Sequence, residues 1–347
     1  MNVLVTGNQG YIGSVLVGML VKKGYGVVGY DTNFYEGCEL YKPFLPKIQI
    51  KKDVRDATVG DFKDIDAVIH LAALSNDPLG ELNPKLTEDI NLKGTLRVVR
   101  MARSAGVKRF IYASSQSMYG ISGTDEELDE DLSNKNPITM YAKTKWKAEC
   151  ELKKLANSHF TVVCLRPSTV FGASPSLRCD IVFNNLVASA YVSGKIEVKS
   201  DGTPWRPVIH VRDVCYAFIS VLKAPKDLVS GESFNVGIKN GNYSIRNLAE
   251  AAQRCVPGSE IIFTGKHGND ARTYKVSFKK ILTKLKHYYK PQWSLDKGGD
   301  ELVQMFKRVD FSEEQFKGST CNRLKQIRLL IEEKKLDENL RWTKNPR

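Results

Sequence analysis

The chain has 347 residues, 42% of them hydrophobic and 26% charged, and its formal net charge is +13. This length suffices for one large domain or two moderate ones, and the composition is ordinary for a soluble globular protein. No stretch approaches the length of a membrane span, which argues against a membrane protein.

The cysteines and the charge narrow the class of protein further. Seven scattered cysteines form no CxxC motif and no Cys/His cluster, and a strand pattern begins directly at the N-terminus. We therefore expect reduced thiols, a cytoplasmic location and no metal site. The positive charge suits either nucleic acid or an anionic small molecule. Because aromatic residues do not interleave with the lysines, we expect no nucleic acid partner and a phosphorylated substrate.

The first motif is a strand, a glycine-rich turn and a helix. The short apolar run Val3–Val5 predicts a buried parallel strand, and Gly7, Gly10 and Gly13 follow at three-residue spacing. Such a turn sets backbone N–H groups and a helix N-terminus against a pyrophosphate. A glycine-rich turn of any α/β protein is the alternative, since the spacing is not the common GxGxxG. The cofactor contacts predicted here are Gly7, Gly10, Tyr11, Ile12 and Gly13.

Two acidic residues follow the next predicted strands. Asp31 ends the strand Val27–Tyr30, where a carboxylate accepts hydrogen bonds from an adenosine ribose. No basic residue stands beside it for a 2′-phosphate, which favours NAD over NADP. An aspartate that opens a turn is the alternative. Asp53, with Val54 after it, lies where adenine could be recognised, and a loop carboxylate explains Asp53 equally well.

Polar and small residues then follow two further predicted strands. Asp66–Ala73 is a strand with a small-residue exit, and Ser75 opens a loop beyond it. Open α/β sheets bind ligands on this side, and small side chains allow a backbone to lie along a cofactor. Arg109–Ala113 is the next strand, and the polar run Ser114–Gly120 is either a simple exit or part of a site. The cofactor contacts predicted after the first of these strands are Leu71, Ala72 and Ala73.

Tyr141 and Lys145 lie four residues apart at the start of a predicted helix, and hence on one face. An ammonium group near a phenol favours the phenolate and lowers the tyrosine pKa. This makes Tyr141 a candidate general base near neutral pH.

Several motifs now stand in one order. They are TGNQGYIG (6–13), Asp31, LAA (71–73), NLKGT (91–95), SSQSMYG (114–120), YAKTK (141–145) and LRPSTVFG (165–172). With them the chain resembles an extended short-chain dehydrogenase/reductase of the nucleotide-sugar epimerase/dehydratase group, from residue 1 to about 290.

The resemblance implies an α/β fold: a Rossmann-like, doubly wound parallel sheet with a smaller, mainly C-terminal α/β substrate domain. We expect the NAD-binding domain at 1–168, with 205–223 returning to it. The nucleotide-sugar-binding domain then takes 169–204 and 224–347, including a C-terminal helical tail. The resemblance also implies a homodimer through the helices predicted at Leu86–Ala105 and Tyr141–Ala156.

The same resemblance assigns roles to individual residues. Tyr141 is the catalytic base and acid, Lys145 binds the nicotinamide ribose, and Ser115 hydrogen-bonds the reacting hydroxyl. Asn91 lies along the cofactor, and Ser75 is expected at the substrate. The residues implied for the diphosphate of the sugar nucleotide are Asn185, Arg206 and Arg272.

The residues after Ser115 bear on the reaction. Family 4,6-dehydratases carry acidic residues at the positions of Gln116 and Ser117, because elimination of water needs a further acid and base. Gln116 and Ser117 are not acidic, which disfavours a dehydratase. The hypothesis is therefore a nucleotide-sugar 4-epimerase. A 4-keto reductase or dehydrogenase is the alternative, and an RNA-associated relative is a third possibility.

In the tail, helical spacing of apolar residues predicts an amphipathic helix at Thr320–Lys335 that covers the substrate half or contacts a partner.

Overall fold

The computed structural model describes residues 1–75, 77–122, 126–265 and 273–343. Its strands are β1 Asn2–Thr6, β2 Gly26–Asp31, β3 Ile48–Lys51, β4 Ala67–His70, β5 Arg109–Ala113, β6 Glu127–Leu128, β7 Thr161–Pro167, β8 Thr169–Phe171, β9 Lys195–Val198, β10 Trp205–His210, β11 Ser233–Val236, β12 Asn242–Ser244, β13 Glu260–Phe263 and β14 Lys275–Val276.

The α-helices are α1 Tyr11–Lys22, α2 Asp77–Gly80, α3 Pro84–Thr87, α4 Thr95–Ser104, α5 Met140–Lys153, α6 Val182–Ser193, α7 Val211–Lys223, α8 Lys226–Val229, α9 Ile245–Cys255, α10 Lys279–Lys284, α11 Leu295–Arg308, α12 Glu313–Lys317 and α13 Arg323–Glu332. Short 3₁₀ helices span Val54–Asp56, Val59–Phe62 and Gln116–Tyr119, and a π-helical segment, Glu88–Gly94, joins α3 to α4. None of these helices has the length and apolar content that a bilayer crossing requires.

The centre of the fold is a seven-stranded parallel sheet in the order β3-β2-β1-β4-β5-β7-β11. Residues of β1 alternate between its two faces, so Val3 and Val5 pack with α1 and α7, whereas Leu4 packs with α4 and α5. With helices on both faces, the sheet is doubly wound, as predicted. The strand order reverses at β1, and a ligand crevice is expected at the carboxyl ends of the strands there.

A smaller α/β unit lies beside this edge of the sheet. It contains the three-stranded sheet β12-β10-β8 and the parallel pair β13-β9. Helices α6, α9 and α11 pack together around a third apolar cluster that includes Phe183, Leu248 and Phe306. The unit therefore has its own core, which allows it to form the far wall of the crevice.

Two strands lie elsewhere than the predicted domain division places them. The segment 205–223 is predicted to return to the large domain, but only α7 does so, because β10 pairs with β8 and β12 of the small sheet. The segment 224–347 is predicted to belong to the small domain, but β11 pairs with β7 as the edge strand of the large sheet. The sequence of a short apolar segment can indicate a strand, but it does not indicate which other strand that strand pairs with.

The tail returns to the large sheet. The predicted helix is present as α13, and it is capped by the side chain of Asn322, which accepts from the backbone N–H of Lys325. Ile327 and Leu330 pack in the same cluster as Leu4 and α4. The tail thus covers the nucleotide-binding side of the fold rather than the substrate half alone.

Candidate active site

A cavity of about 540 Å³ opens at the carboxyl ends of β1, β2, β4 and β5, facing the small unit. Its volume is typical of sites for small molecules and cofactors. Sixteen of the residues predicted for the site line it: Gly7, Gly10, Tyr11, Ile12, Gly13, Asp31, Asp53, Val54, Leu71, Ala72, Ala73, Ser75, Ser115, Tyr141, Lys145 and Arg206.

The glycine turn delivers the N-terminus of α1 to this cavity. Gly7 has a φ of +70°, and a Cβ atom there would stand 2.8 Å from the backbone nitrogen of Ala72. A Cβ on Gly13 would meet the carbonyl oxygen of Gly7 at 2.1 Å, so both positions require glycine. Gly10 caps the helix without a side chain. The first-turn amide groups therefore face the cavity, as an anion-binding turn requires.

Asp31 lies at the adenosine end expected for a dinucleotide. Its carboxylate accepts from the backbone N–H groups of Gln9 and Asn33, each at 3.0 Å. Burial raises the pKa of Asp31, while these backbone donors and the nearby Arg323 oppose that shift. The carboxylate is thus held in place by the glycine turn itself, in a position to accept further hydrogen bonds from ribose hydroxyls.

Two predicted cofactor contacts have other partners in the structure. Both carboxylate oxygens of Asp53 accept from the guanidinium of Arg55, with the shortest distance 2.7 Å. Asn91 does not line the cavity, because its amide bonds both the N–H and the carbonyl of Leu74, at 2.8 and 3.1 Å. Asn91 therefore holds the loop after β4 in place, and its predicted position along the cofactor stays a prediction.

The three residues predicted to be catalytic meet where β5 ends and α5 begins: Ser115, Tyr141 and Lys145. Ser115 caps the 3₁₀ turn after β5, and its Oγ accepts from the backbone N–H of Ser117 at 3.1 Å. Burial raises the pKa of Tyr141 to about 12, and a hydrogen bond with Ser115 opposes this. The Nζ of Lys145 donates to the Ala113 carbonyl at 2.8 Å and lies 5.9 Å from the Tyr141 ring centroid.

The predicted lowering of the Tyr141 pKa by Lys145 is not what this geometry produces. Burial lowers the pKa of Lys145 to about 7, so the ammonium is itself only partly charged near neutral pH. Desolvation of the phenol has the largest effect on the pKa of Tyr141, and it raises that pKa. The phenol is therefore protonated in the protein alone, and it needs another positive charge nearby to act as a base.

The residues predicted for the substrate divide into three groups. Arg206 lines the cavity and is buried, with Nη1 donating to the Trp205 carbonyl at 2.9 Å. Asn185 does not line the cavity: it is exposed on α6, and its amide donates to the Cys179 carbonyl at 2.9 Å, so its predicted diphosphate contact stays a prediction. Arg272 lies outside the described residues.

A buried ion pair on the substrate side was not predicted from the sequence. Arg178 binds Asp180 through Nε and Nη2, at 2.9 and 3.0 Å, and its Nη1 donates to the Ser75 Oγ at 2.9 Å. All three residues line the cavity near Tyr141. The pair lies in an irregular loop before α6. Such a loop has no regular alternation of apolar and polar residues from which an inward-facing side chain could be predicted. The only available signal was the position of the loop after a strand of the predicted substrate half.

The fold and this cavity define a short-chain dehydrogenase/reductase: a doubly wound sheet, a glycine turn before α1, and a serine, tyrosine and lysine at one cavity. The sequence model of the NAD dependent epimerase/dehydratase family matches residues 3–237. The chain belongs to this family, whose cofactor is the predicted NAD.

Relatives catalyse more than one reaction. A UDP-glucuronate 4-epimerase of Thermodesulfobacterium geofontis is 29% identical over 269 residues, which is 73% of this chain and 80% of that protein. A dTDP-D-glucose 4,6-dehydratase of Homo sapiens is 32% identical over 263 residues, 72% of each chain. Sequence similarity at this level identifies the family and leaves the choice of reaction to the site.

Solved structures with bound ligands are also similar. MoeE5 in complex with UDP-glucuronic acid and NAD has a TM-score of 0.76 and 26% identity, and the match covers 89% of this chain and 99% of that one. The UDP-glucuronic acid 4-epimerase of Bacillus cereus, in complex with UDP-glucuronic acid and NAD, has a TM-score of 0.74 and 26% identity, with 89% and 100% covered. Both matches extend over nearly the whole of the solved chains, so the two units of this fold are present in each.

Proposed function

We propose that the chain is an NAD-dependent nucleotide-sugar 4-epimerase that works through a 4-keto intermediate. The observation that carries the proposal is the buried Tyr141 phenol, hydrogen-bonded to Ser115 in the same cavity as the glycine turn and Asp31. The family and the ligands of similar structures support a nucleotide-diphosphate sugar as the substrate. A cytoplasmic homodimer that serves surface polysaccharide or glycoconjugate synthesis is part of the proposal.

In this proposal the chain's residues position the sugar and move its proton. NAD⁺, when bound by the glycine turn and Asp31, supplies a reversible hydride acceptor and a positively charged ring. A positive charge beside Tyr141 lowers the phenol pKa, so Tyr141 takes the proton of the C4 hydroxyl while Ser115 hydrogen-bonds the same oxygen. Arg206 would hold the diphosphate, about which the 4-keto sugar turns, so that the hydride held by the cofactor would return to the opposite face of C4 while Tyr141 gives the proton back to O4.

The neighbours of Ser115 support epimerisation over dehydration. Gln116 lines the cavity, and its buried side chain is fixed to the backbone because Nε2 donates to the Arg166 carbonyl at 2.9 Å. Ser117 shares a hydrogen bond of 2.8 Å with the Ser115 hydroxyl. Neither is an acid or base at neutral pH, and loss of water from the sugar needs both in addition to the tyrosine.

The test is product analysis with purified protein and UDP- and dTDP-hexoses or hexuronic acids, without added cofactor. We expect two C4 epimers to interconvert, and Tyr141→Phe to lower kcat by at least about 10²- to 10⁴-fold because the proton has no acceptor. Tyr216→Phe, which changes a phenol on α7 outside the cavity, is the control.

Other products would replace the epimerase assignment. Net consumption of NADH without an epimer would indicate a 4-keto reductase, and release of water with a 4-keto-6-deoxy product would indicate a dehydratase. Salt-dependent retention of RNA without any sugar turnover would favour the RNA-associated alternative.

A further inference from the structure

Arg323 is a buried cation that has no ion-pair partner within the described residues. It is 1% exposed and begins α13. Its Nη2 donates to the Ser176 carbonyl at 2.7 Å, and its guanidinium carbon lies 4.2 Å from the ring centroid of Tyr35. Across the part of the chain that the structure describes, its Nη1 has no hydrogen-bond partner. Arg323 nevertheless lines the cavity of the active site.

Burying a guanidinium group without a counter-charge lowers the stability of the folded protein unless an anion binds to it. A buried charge is normally paired, and an unpaired one destabilises the folded protein. Burial lowers the pKa of Arg323 and the nearby cation of Arg178 acts in the same direction, while Tyr35 and the Asp180 carboxylate act against this shift. Arg178 itself is satisfied by Asp180, whereas Arg323 keeps an unused donor. The unused donor therefore indicates a negatively charged ligand atom.

The neighbours of Arg323 lie on the dinucleotide side of the cavity. The Ser176 hydroxyl donates to the Gln9 carbonyl at 2.8 Å, and Gln9 belongs to the glycine turn. Tyr35 follows β2, and the Asp31 carboxylate at the end of β2 is close enough for Arg323 to lower its pKa. The predicted diphosphate contact of the sugar nucleotide, Arg206, is on β10 of the small sheet instead.

We propose that Arg323 binds the diphosphate of the dinucleotide, so that the C-terminal tail fastens the cofactor into the crevice. Arg323 lines the same cavity as the start of α1, and guanidinium groups suit phosphate geometry. Two kinds of contact hold the tail in this position. Ile327 and Leu330 pack in the core, and the Gln326 amide donates to the Phe34 carbonyl at 3.3 Å. The inference rests on the cofactor of the proposed function and not on the sugar or the reaction.

The experiment measures binding to the full-length protein, freed of nucleotide, by titration calorimetry with NAD, ADP-ribose and UDP. We expect Arg323→Gln to weaken NAD and ADP-ribose by the same factor, on the order of ten- to a hundredfold, and to leave UDP unchanged. Arg328→Gln is the matched control, because Arg328 is an exposed arginine of the same helix. NAD should also dissociate faster from Arg323→Gln, in proportion to the lost affinity.

Several results would overturn the inference. Unchanged NAD binding in Arg323→Gln would show that Arg323 only supports the fold. Weakened UDP binding with unchanged NAD binding would assign Arg323 to the substrate.

If Arg323→Gln does not fold, Arg323→Lys provides the test, since it keeps the charge but not the planar donor pair. We expect the affinity of Arg323→Lys for NAD to fall several-fold, and an unchanged affinity would contradict the proposal. Because no sugar turnover is measured, a failed epimerase assay leaves this result unaffected.

Discussion

The charge on Lys145 sets the chemistry available at the cavity. Its Nζ is buried beneath the end of β5, bound to the Ala113 carbonyl and 4.9 Å from the ring centroid of Tyr112. With a pKa of about 7, this lysine changes charge in the range where most enzymes work. The protein therefore does not supply a full positive charge to Tyr141 by itself, and in the proposed mechanism the activation of the phenol depends on the bound cofactor.

His70 is a second buried titratable residue, at the end of β4. Its ring nitrogens hydrogen-bond the hydroxyls of Thr6, at 2.8 Å, and Thr95, at 2.9 Å. Burial lowers its pKa from 6.5 to about 3, and the nearby Lys145 acts in the same direction. The ring is therefore neutral in the folded protein and ties β1, β4 and α4 together behind the glycine turn.

The pKa of His70 predicts a pH-dependent stability. Since the folded pKa is below the unfolded value, the contribution of the neutral ring is complete above pH 6.5 and is lost as the pH falls toward 3. Between pH 6.5 and 4.5 the free energy of unfolding should fall by about 2–3 kcal/mol from this group. Urea unfolding should show that His70→Gln loses this part of the pH dependence, whereas the exposed His159→Gln keeps it. Equal pH dependence in both variants would contradict the prediction.

At the scale of elements, one buried ion pair joins α5 to the large sheet. Glu149 on α5 binds Arg166 on β7 at 2.6 Å, and both side chains are at most 2% exposed. Ser114 after β5 and Ser233 on β11 also donate to this carboxylate, at 2.5 and 2.6 Å. Burial alone would raise the pKa of Glu149, but Arg166 holds it below its usual value. The helix that carries Tyr141 is thus connected to three strands.

Removing one charge of this pair should strongly lower the free energy of unfolding. Glu149→Gln leaves Arg166 buried without its counter-charge, and we expect the free energy of unfolding to fall by about 3–5 kcal/mol. Chemical denaturation measures this loss. Glu151→Gln, on the same helix but in an exposed pair with Lys154, should change stability by less than about 1 kcal/mol. A loss of that small size for Glu149→Gln would mean that the pair does not stabilise the position of α5.

At the scale of the whole molecule, the tail residues that follow α13, as far as Trp342, pack against the nucleotide-binding half near β1 and β2. Leu336 and Leu340 are buried in the cluster that contains Leu4 of β1. Trp342 donates through Nε1 to the Thr32 carbonyl at 2.7 Å, one residue after Asp31. The large sheet is therefore completed on one face by residues that follow the small unit in the chain.

This arrangement predicts that the tail contributes to global stability. Leu336→Ala should lower the free energy of unfolding by about 2–5 kcal/mol, because it leaves a cavity in the core beside the large sheet. Leu329→Ala, an exposed leucine of the same tail, should change it by about 0.5 kcal/mol or less. Thermal or urea unfolding distinguishes the two. A small effect of Leu336→Ala would show that the tail docks without supporting the core.

Much of the large domain was predictable because its signals are local. The glycine turn, the strand-end Asp31 and the Tyr141–Lys145 spacing each occupy a few consecutive residues, and a parallel sheet brings strand ends to one edge. Contacts between distant segments were not predictable in this way. Asn91 and Asn185 are polar residues near the site in sequence, but their amides bond backbone groups of neighbouring loops instead of facing the cavity.

The sequence by itself determined the doubly wound sheet, the family and the cofactor, because short-range patterns specify strands, turns and helix faces. Tertiary structure alone decided which sheet receives β10 and β11, where the tail docks, and how far burial moves the pKa of Tyr141 and Lys145. It also brought Arg323 to the cofactor side. Pairing partners, burial and desolvation depend on residues far apart in the chain, and no local pattern records them.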